Sequence, residues 1–497
     1  MWRGFDLKLS FRKQINIKTS SSSLFHKKMV KKKFFKIIKY VLAVLVVFLF
    51  VFLILRFYNE NSSPAGFSVL KKISDKLTIS KVDNKTGELP MLSSPTSIIR
   101  DEQNLNMYQN TYSLSNEENM AQFYSDIYGN FTLPKFKGYI IELNEKPLIE
   151  KKVELENAQA QLRRDAPAGI NRQLRNYASR INREHNSAKA SIRRITGIRN
   201  NEIIEYKKSF NGLAIVKDLS QEQLQQIKSL NYVKNVYPNY EVKIALQEEP
   251  VEGYVGEPII DNSFDWHLEV TNVYDARDLG YDGEGITIAI IDTGIDSAHE
   301  DLEGKVIREH CYSGFNECPN GESEQHGRDA GMDDHGHGTH VAGIVAGNLF
   351  GVAPNASLVS IKVLSSQGYG LMNDVLRGIE TAVDPNNDNN FEDHYNIISM
   401  SLGYEGGTPN APDAIAVDNA VNVGVIAVVA VGNSGPALAS ISCPGCARKA
   451  ITVGASDAED NVAEFSSRGP AHNEYHTSIL KPDIVAPGVL ICSSRLP

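Results

Sequence analysis

From Gly285 onward the sequence repeats one pattern: short, near-continuous apolar runs separated by stretches long enough for a helix. The runs are ITIAIID, SLVSIKVL, NIISMSL, GVIAVVAVG, AITVGAS and DIVAPG. A strand with one wet face alternates apolar and polar residues, whereas one that is apolar throughout is covered on both faces. Strands of the second kind, alternating with helices, give a mostly parallel sheet between two helix layers, a doubly wound α/β domain. Ligands of such sheets bind beyond the carboxyl ends of the strands.

Three motifs with chemically competent side chains sit at those ends. Asp292 closes ITIAIID, and alone it reads as a strand-end carboxylate capping the next turn. His337 and His340, in DDHGHGTHVAGIVAG, open a helix of small residues. As a metal pair they lack the glutamate of an HExxH site. Asn433 follows GVIAVVAVG, where a lone Asn is usually a turn residue.

Residues 136–245 read as a separate small α/β module. GYIIEL (138–143) is a strand by its β-branched content. A long helical stretch from about Glu150 to Arg194 breaks at Pro167-Ala168-Gly169. EIIEYKKSFNGLAIVKD (202–218) predicts a hairpin turning at Asn211-Gly212. Ser220 and Gln223 form a capping box for the helix that follows, and 231–245 closes with a strand. The order β-α-β-β-α-β is that of a ferredoxin-like α+β fold.

The net charge of −9 hides a division. Residues 1–250 hold 40 Lys+Arg against 24 Asp+Glu, and residues 251–497 hold 11 against 36, so the halves are +16 and −25. Part of the basic excess precedes the apolar run Tyr40–Leu55, in KKMVKKKFFKIIK. That arrangement predicts a signal peptide or signal anchor over residues 29–58, a transmembrane or leader segment with everything after it outside the cytoplasm. Residues 1–28 are an N-terminal extension ahead of Met29, and 59–135 a polar stalk. The rest of the basic excess lies in the helical stretch of the small module, where it favours docking on the acidic second half. No nucleic-acid partner is implied.

All 5 cysteines lie beyond residue 310, which suits an exported domain. Cys311 and Cys318 flank a short loop and predict a disulfide, whereas Cys443 and Cys446, a CxxC, are left open between disulfide and redox motif. Asp384, Asn386, Asp388 and Asp393 place oxygens at alternating positions, which suits structural calcium. The glycine of an EF-hand loop is absent, and a solvated polar loop reads equally well.

Taken together, Asp292, then HGTHVAG, then Gly432-Asn433 at strand ends resemble the subtilisin-like serine proteases, the subtilase family. HEDL (299–302), GVAPNASLVSIKVL (351–364), FSSRGP (465–470) and KPDIVAPG (481–488) extend the resemblance. SFNGLAIV and LSQEQLQQIKSLNYVKNVYPN, directly before it, resemble the family's propeptide, an intramolecular chaperone and inhibitor. The resemblance implies a propeptide over 136–245 and an incomplete peptidase domain over 246–497. It implies a serine endopeptidase that processes itself, acts on peptides and needs no cofactor for its chemistry. Asp292 would orient His337, the general base, and Asn433 would serve the oxyanion. Ser401, Leu402 and Gly403 would line the primary side-chain pocket, and Gly368, Tyr369 and Gly370 an edge for extended substrate. Cleavage of the precursor is expected within about residues 243–262, an acidic connection. The family's serine lies in a GTS-type motif, and none occurs in the 497 residues. The expectation is a sequence that stops before the serine, the alternative an inactive relative acting as a peptide-binding or scaffolding protein. A helix opening at the serine would cover the sheet, so strands such as Ile288–Ile290 and Val428–Val431 are expected partly uncovered.

Overall fold

The computed structural model describes residues 135–161, 167–245, 265–472 and 478–496. The basic and apolar segment over residues 29–58 and the polar stretch over 59–134 lie outside them, as does most of the acidic connection. Among the described residues no helix is long and apolar enough to cross a membrane.

The small module runs β1 (Phe136–Leu143), α1 (Leu148–Gln161), α2 (Pro167–Thr196), β2 (Ile203–Tyr206), β3 (Gly212–Ile215), α3 (Gln221–Lys228) and β4 (Val233–Ile244). Its strands lie in the order β4-β1-β3-β2, and all of these pairs are antiparallel. Ser220 caps α3 as its capping box requires, accepting from the Gln223 N–H at 3.2 Å. Ile141, Leu143, Ile192, Leu213 and Ile215 are fully buried in its own core.

One expectation is corrected here. The hairpin does not turn at Asn211-Gly212: Tyr206 pairs with Gly212, so residues 207–211 form the loop and Gly212 is already strand. A two-residue turn would have left the Lys207–Phe210 amides in the ladder. They are instead drawn together around one carboxylate, Glu380.

The larger module opens with the short helices α4 (Trp266–Val270) and α5 (Val273–Asp278). Its strands are β5 (Thr287–Asp292), β6 (Val306–Tyr312), β7 (Glu324–His326), β8 (Ser357–Lys362), β9 (Tyr369–Leu371), β10 (Ile397–Met400), β11 (Leu402–Gly403), β12 (Ile426–Ala430), β13 (Ile451–Ser456), β14 (Ala471–His472), β15 (Ser478–Ile479) and β16 (Ile484–Pro487). Between them lie α6 (His337–Ala346), α7 (Met372–Val383) and α8 (Pro412–Asn422). The main sheet has the order β16-β13-β12-β10-β5-β8-β6-β7, parallel except for the β6–β7 ribbon. Its centre is dry, as the apolar runs require: Ala289, Ile291, Leu358, Ile361 and Ile398 are fully buried.

The expectation of uncovered strand residues fails on β5 and holds in part on β12. Ile288, Ala289 and Ile290 are buried, while in the second run Val429 and Val431 are buried and Val428 and Ala430, on the other face, are only half-buried. The exposed apolar side chains are Ile426, Ile451, Ile484 and Val485, at 49, 40, 53 and 46%. They lie on β12, β13 and β16, toward one edge of the sheet, whereas β5 is central and covered on both faces.

Candidate active site

Asp292 is the last residue of β5 and fully buried; His337 is the first of α6. Gly336, the residue before the helix, has φ +103, a left-handed conformation that costs glycine little. It turns the chain so that His337 Nδ1 meets Asp292 Oδ1 at 2.7 Å. The same oxygen accepts the Thr293 N–H at 2.7 Å. Burial opposes a charged imidazole, yet the Asp292 carboxylate and, further off, Asp333 raise the His337 pKa above its usual 6.5.

Close packing forbids side chains around this pair. A Cβ on Gly338 would run into the Gly294 carbonyl, and one on Gly294 into that of Gly331, 2.6 Å away. The small residues of HGTHVAG thus let the helix start lie against the strand end.

Asp333 holds the whole turn, and the sequence reading missed its role. Its Oδ1 accepts from Thr293 Oγ1, the His335 N–H and the Gly336 N–H at 2.9, 2.9 and 3.0 Å. Its Oδ2 accepts from Thr339 N–H and Oγ1 at 2.9 and 2.6 Å. Burial works against its charge, but these donors win and hold the carboxyl below the usual range. The signal was the acidic pair just ahead of HGHGTH. Lys362, 2% exposed, ties the ends of β5 and β8 by donating to the Thr293 and Leu364 carbonyls and to Asp334.

Asn433 stands three residues past β12, half-buried, after Gly432 at φ +100. In the order β12-β10-β5, the loops bearing Asn433, Ser401 and Asp292 leave neighbouring strands at the same sheet end. His340 lies one helical turn beyond His337 and its Nε2 faces the Ile491 carbonyl at 3.2 Å, away from the Asp292 pairing.

The predicted binding segments flank an extended strand. β4 of the small module lies between β9 and β11, antiparallel to both. Lys243 pairs with Tyr369 and Gly403, and Val242 with Gly370. The contact continues over α7. Glu380 accepts from the N–H groups of Lys207, Lys208, Ser209 and Phe210 and from Ser209 Oγ, at 2.5–3.4 Å. Asn239 and Asn373 exchange two hydrogen bonds, and Tyr240 stacks on Tyr404 with centroids 5.1 Å apart.

Cys311 and Cys318 are disulfide-bonded with Cα atoms 5.7 Å apart, and Cys443 and Cys446 with Cα atoms 4.8 Å apart; Cys492 is free. Oxygens of Asp384, Asp388 and Asp393 lie within 4.8 Å of one another. Asn386 turns its amide nitrogen toward Asp393, at 2.6 Å, and Lys208 pairs with Asp384 at 2.9 Å. Carboxylates grouped in this way suit a hard cation, although Asn386 offers it no oxygen in this rotamer.

Residues 283–496 match the Subtilase family, and residues 138–245 match Peptidase inhibitor I9. The chain carries a subtilase domain behind an inhibitor domain. It is 38% identical to Serine protease AprX of Bacillus subtilis, over 53% of this chain and 56% of that protein. Minor extracellular protease Vpr of the same organism is 31% identical over 67% of this chain and 38% of its own length. Subtilase-type proteinase psp3 of Schizosaccharomyces pombe is 38% identical over 42% and 41%. The chain thus spans about half the length, or less, of these curated relatives. The subtilase domain is the mixed α/β kind with a parallel sheet.

Proposed function

We propose that this protein is a serine endopeptidase made as a self-processed precursor. The observation that carries the reading is the buried Asp292–His337 pair, set at the sheet end where an extended strand of the chain already lies. Asp292 fixes the imidazole with Nδ1–H toward it, which leaves Nε2 free to take a proton from a serine hydroxyl and return it to the leaving amine. Asn433 donates its side-chain amide to the developing oxyanion, an interaction worth about 3–4 kcal/mol in sites of this type. Ser401, Leu402 and Gly403 with Gly368, Tyr369 and Gly370 hold the substrate backbone by β-pairing. The 497 residues contain no GTS-type motif, and the reading assigns the nucleophile to no residue among them.

The small module, over 136–245, is read as the ferredoxin-like inhibitor of this site, with its final strand in the cleft. The connection near 243–262 is read as the processing region. An extracytoplasmic location, through the basic and apolar segment at 29–58, accords with five cysteines of which four pair. Asp384, Asp388 and Asp393 would hold calcium, a structural ion with no part in the chemistry.

The test is labelling by a serine-directed phosphonate of protein expressed from its full coding sequence. Labelling that His337→Ala abolishes supports the reading. Failure to label while the cleft still binds extended peptides would make the chain a peptide-binding protein.

A further inference from the structure

The register of β4 in the cleft assigns a cut site and a side-chain preference, an inference that rests on the peptidase reading above. Among the described residues the last hydrogen bond of the strand runs from the Ala245 N–H to the Ser401 carbonyl at 2.8 Å, just after the Ile244 N–H reaches the Gly368 carbonyl at 3.1 Å. Ser401 directly follows β10, and β10 lies between β12 and β5. Neighbouring strands are about 4.8 Å apart. Ser401 is therefore flanked by the strand end that carries Asn433 and the one that ends in Asp292. The first carbonyl beyond the last anchored N–H is that of Ala245, so this is the carbonyl presented between amide and imidazole.

The same register says where the Ala245 side chain goes. Residues i and i+2 of a strand share a face, and residues directly opposed across an antiparallel pair project the same way. Gly403 opposes Lys243, so Ala245 projects on the Gly403 side. A Cβ on Gly403 would meet Ser442 Cβ and the Cys443 carbonyl, each at 2.9 Å. One on Gly432, the neighbour of Asn433, would collide with Ser442 Oγ and meet its Cβ at 2.9 Å. Ser442 thus fills the space between the two glycines. It is 6% exposed and pinned by its N–H to the Val431 carbonyl at 3.0 Å.

We infer that Ser442 restricts the cleft to small side chains at the residue whose carbonyl is attacked, and that the precursor is cut between Ala245 and Leu246. Hydrolysis there breaks the bond from the Ala245 carbonyl carbon to the Leu246 nitrogen. Water supplies the oxygen of the new carboxylate, and a proton goes to the Leu246 amine. Three residues upstream, Val242 is 1% exposed while Lys243 points to solvent. The recognised sequence is an apolar residue, then an unconstrained one, then an apolar one that packs on the cleft as half-buried Ile244 does, then a small one.

Two measurements on protein expressed from its full coding sequence test this. N-terminal sequencing of the processed form should begin at Leu246. Chromogenic peptides ending Val-Lys-Ile-Ala and Val-Lys-Ile-Phe should differ at least tenfold in kcat/KM in favour of Ala, the scale of a size-restricted apolar pocket. Ser442→Gly should raise the Phe-to-Ala ratio at least tenfold. Ser442→Ala, which keeps a Cβ in place, should raise it less, and it guards against misfolding of the glycine variant. Casein hydrolysis with Phe accepted as well as Ala, or a ratio indifferent to Ser442→Gly, would overturn the size limit and leave the peptidase reading intact. A mature start more than a residue or two from Leu246 would overturn the register. No hydrolysis of casein or either peptide would sink the peptidase reading and this inference with it.

Discussion

Removing the Glu380 carboxylate should release the inhibitor loop, and the effect can be worked from its hydrogen bonds. Four backbone N–H groups and one hydroxyl of residues 207–210 converge on this side chain, and Ser209 and Phe210 are 0 and 1% exposed. A hydrogen bond to a charged group contributes about 1.5–3 kcal/mol, and truncating one partner of a buried charged cluster costs about 2–5 kcal/mol. Glu380 is itself only partly buried, so water would recover some of the loss. A net cost of about 3 kcal/mol is reasonable for Glu380→Ala, equivalent to about a hundredfold in an opening equilibrium. Hydrogen exchange by mass spectrometry on the full chain reads this directly. The Lys208–Phe210 amides should exchange about a hundredfold faster in Glu380→Ala and about tenfold faster in Glu380→Gln. The Ile244 and Ala245 amides, bonded to Gly368 and Ser401, should change much less. If loop protection in Glu380→Ala stays within about threefold of the parent, the carboxylate is not the anchor and the argument fails.

Other outcomes follow from the site. Asp292 and Asp333 raise the His337 pKa, so the acid limb of the kcat/KM profile should lie above pH 6.5 and activity should grow as His337 loses its proton. Asp292→Asn should move the imidazole titration, followed by NMR, to lower pH. The stability contributed by charged His337 is full below the unfolded pKa and fades as pH rises through the folded one. Asp333→Ala strands several donors around the turn before His337 and should cost about 3 kcal/mol, seen as a lower denaturation midpoint together with a lower kcat. If Asp384, Asp388 and Asp393 hold calcium, chelator should lower the thermal midpoint in the parent and not in Asp388→Ala, because a ligand of the native state stabilises it. A midpoint indifferent to chelator leaves a solvated loop.

The parts legible in the sequence share one property: their signal is local. The positions of Asp292, closing a fully apolar strand, and of His337, opening a helix of small residues, are local signals, whereas their roles came only with the family resemblance of the surrounding motifs. The strand at 231–245 and the capping box at Ser220 are local in the same way. What escaped reading depends on partners far along the chain. Lys207–Phe210 look like strand and turn until Glu380, some 170 residues later, is known to collect their amides. The exposed faces of Ile426, Ile451 and Ile484 follow from strand order, and apolar runs do not say which strand is central. Asp333 was visible within its motif, yet an acidic pair in a polar loop has no periodicity to mark it.

The three-stranded arrangement of β9, β4 and β11 has a consequence for the life of the chain before any bond is cut. β9 is three residues long and β11 two, and each offers an unpaired edge once β4 withdraws. Bare edges are templates for any passing extended segment, the usual start of intermolecular sheet growth. Their brevity limits what they can recruit to a single short strand. While β4 lies between them, neither of these two edges is open to a neighbouring molecule, so the cleft itself cannot seed adhesion between newly made copies.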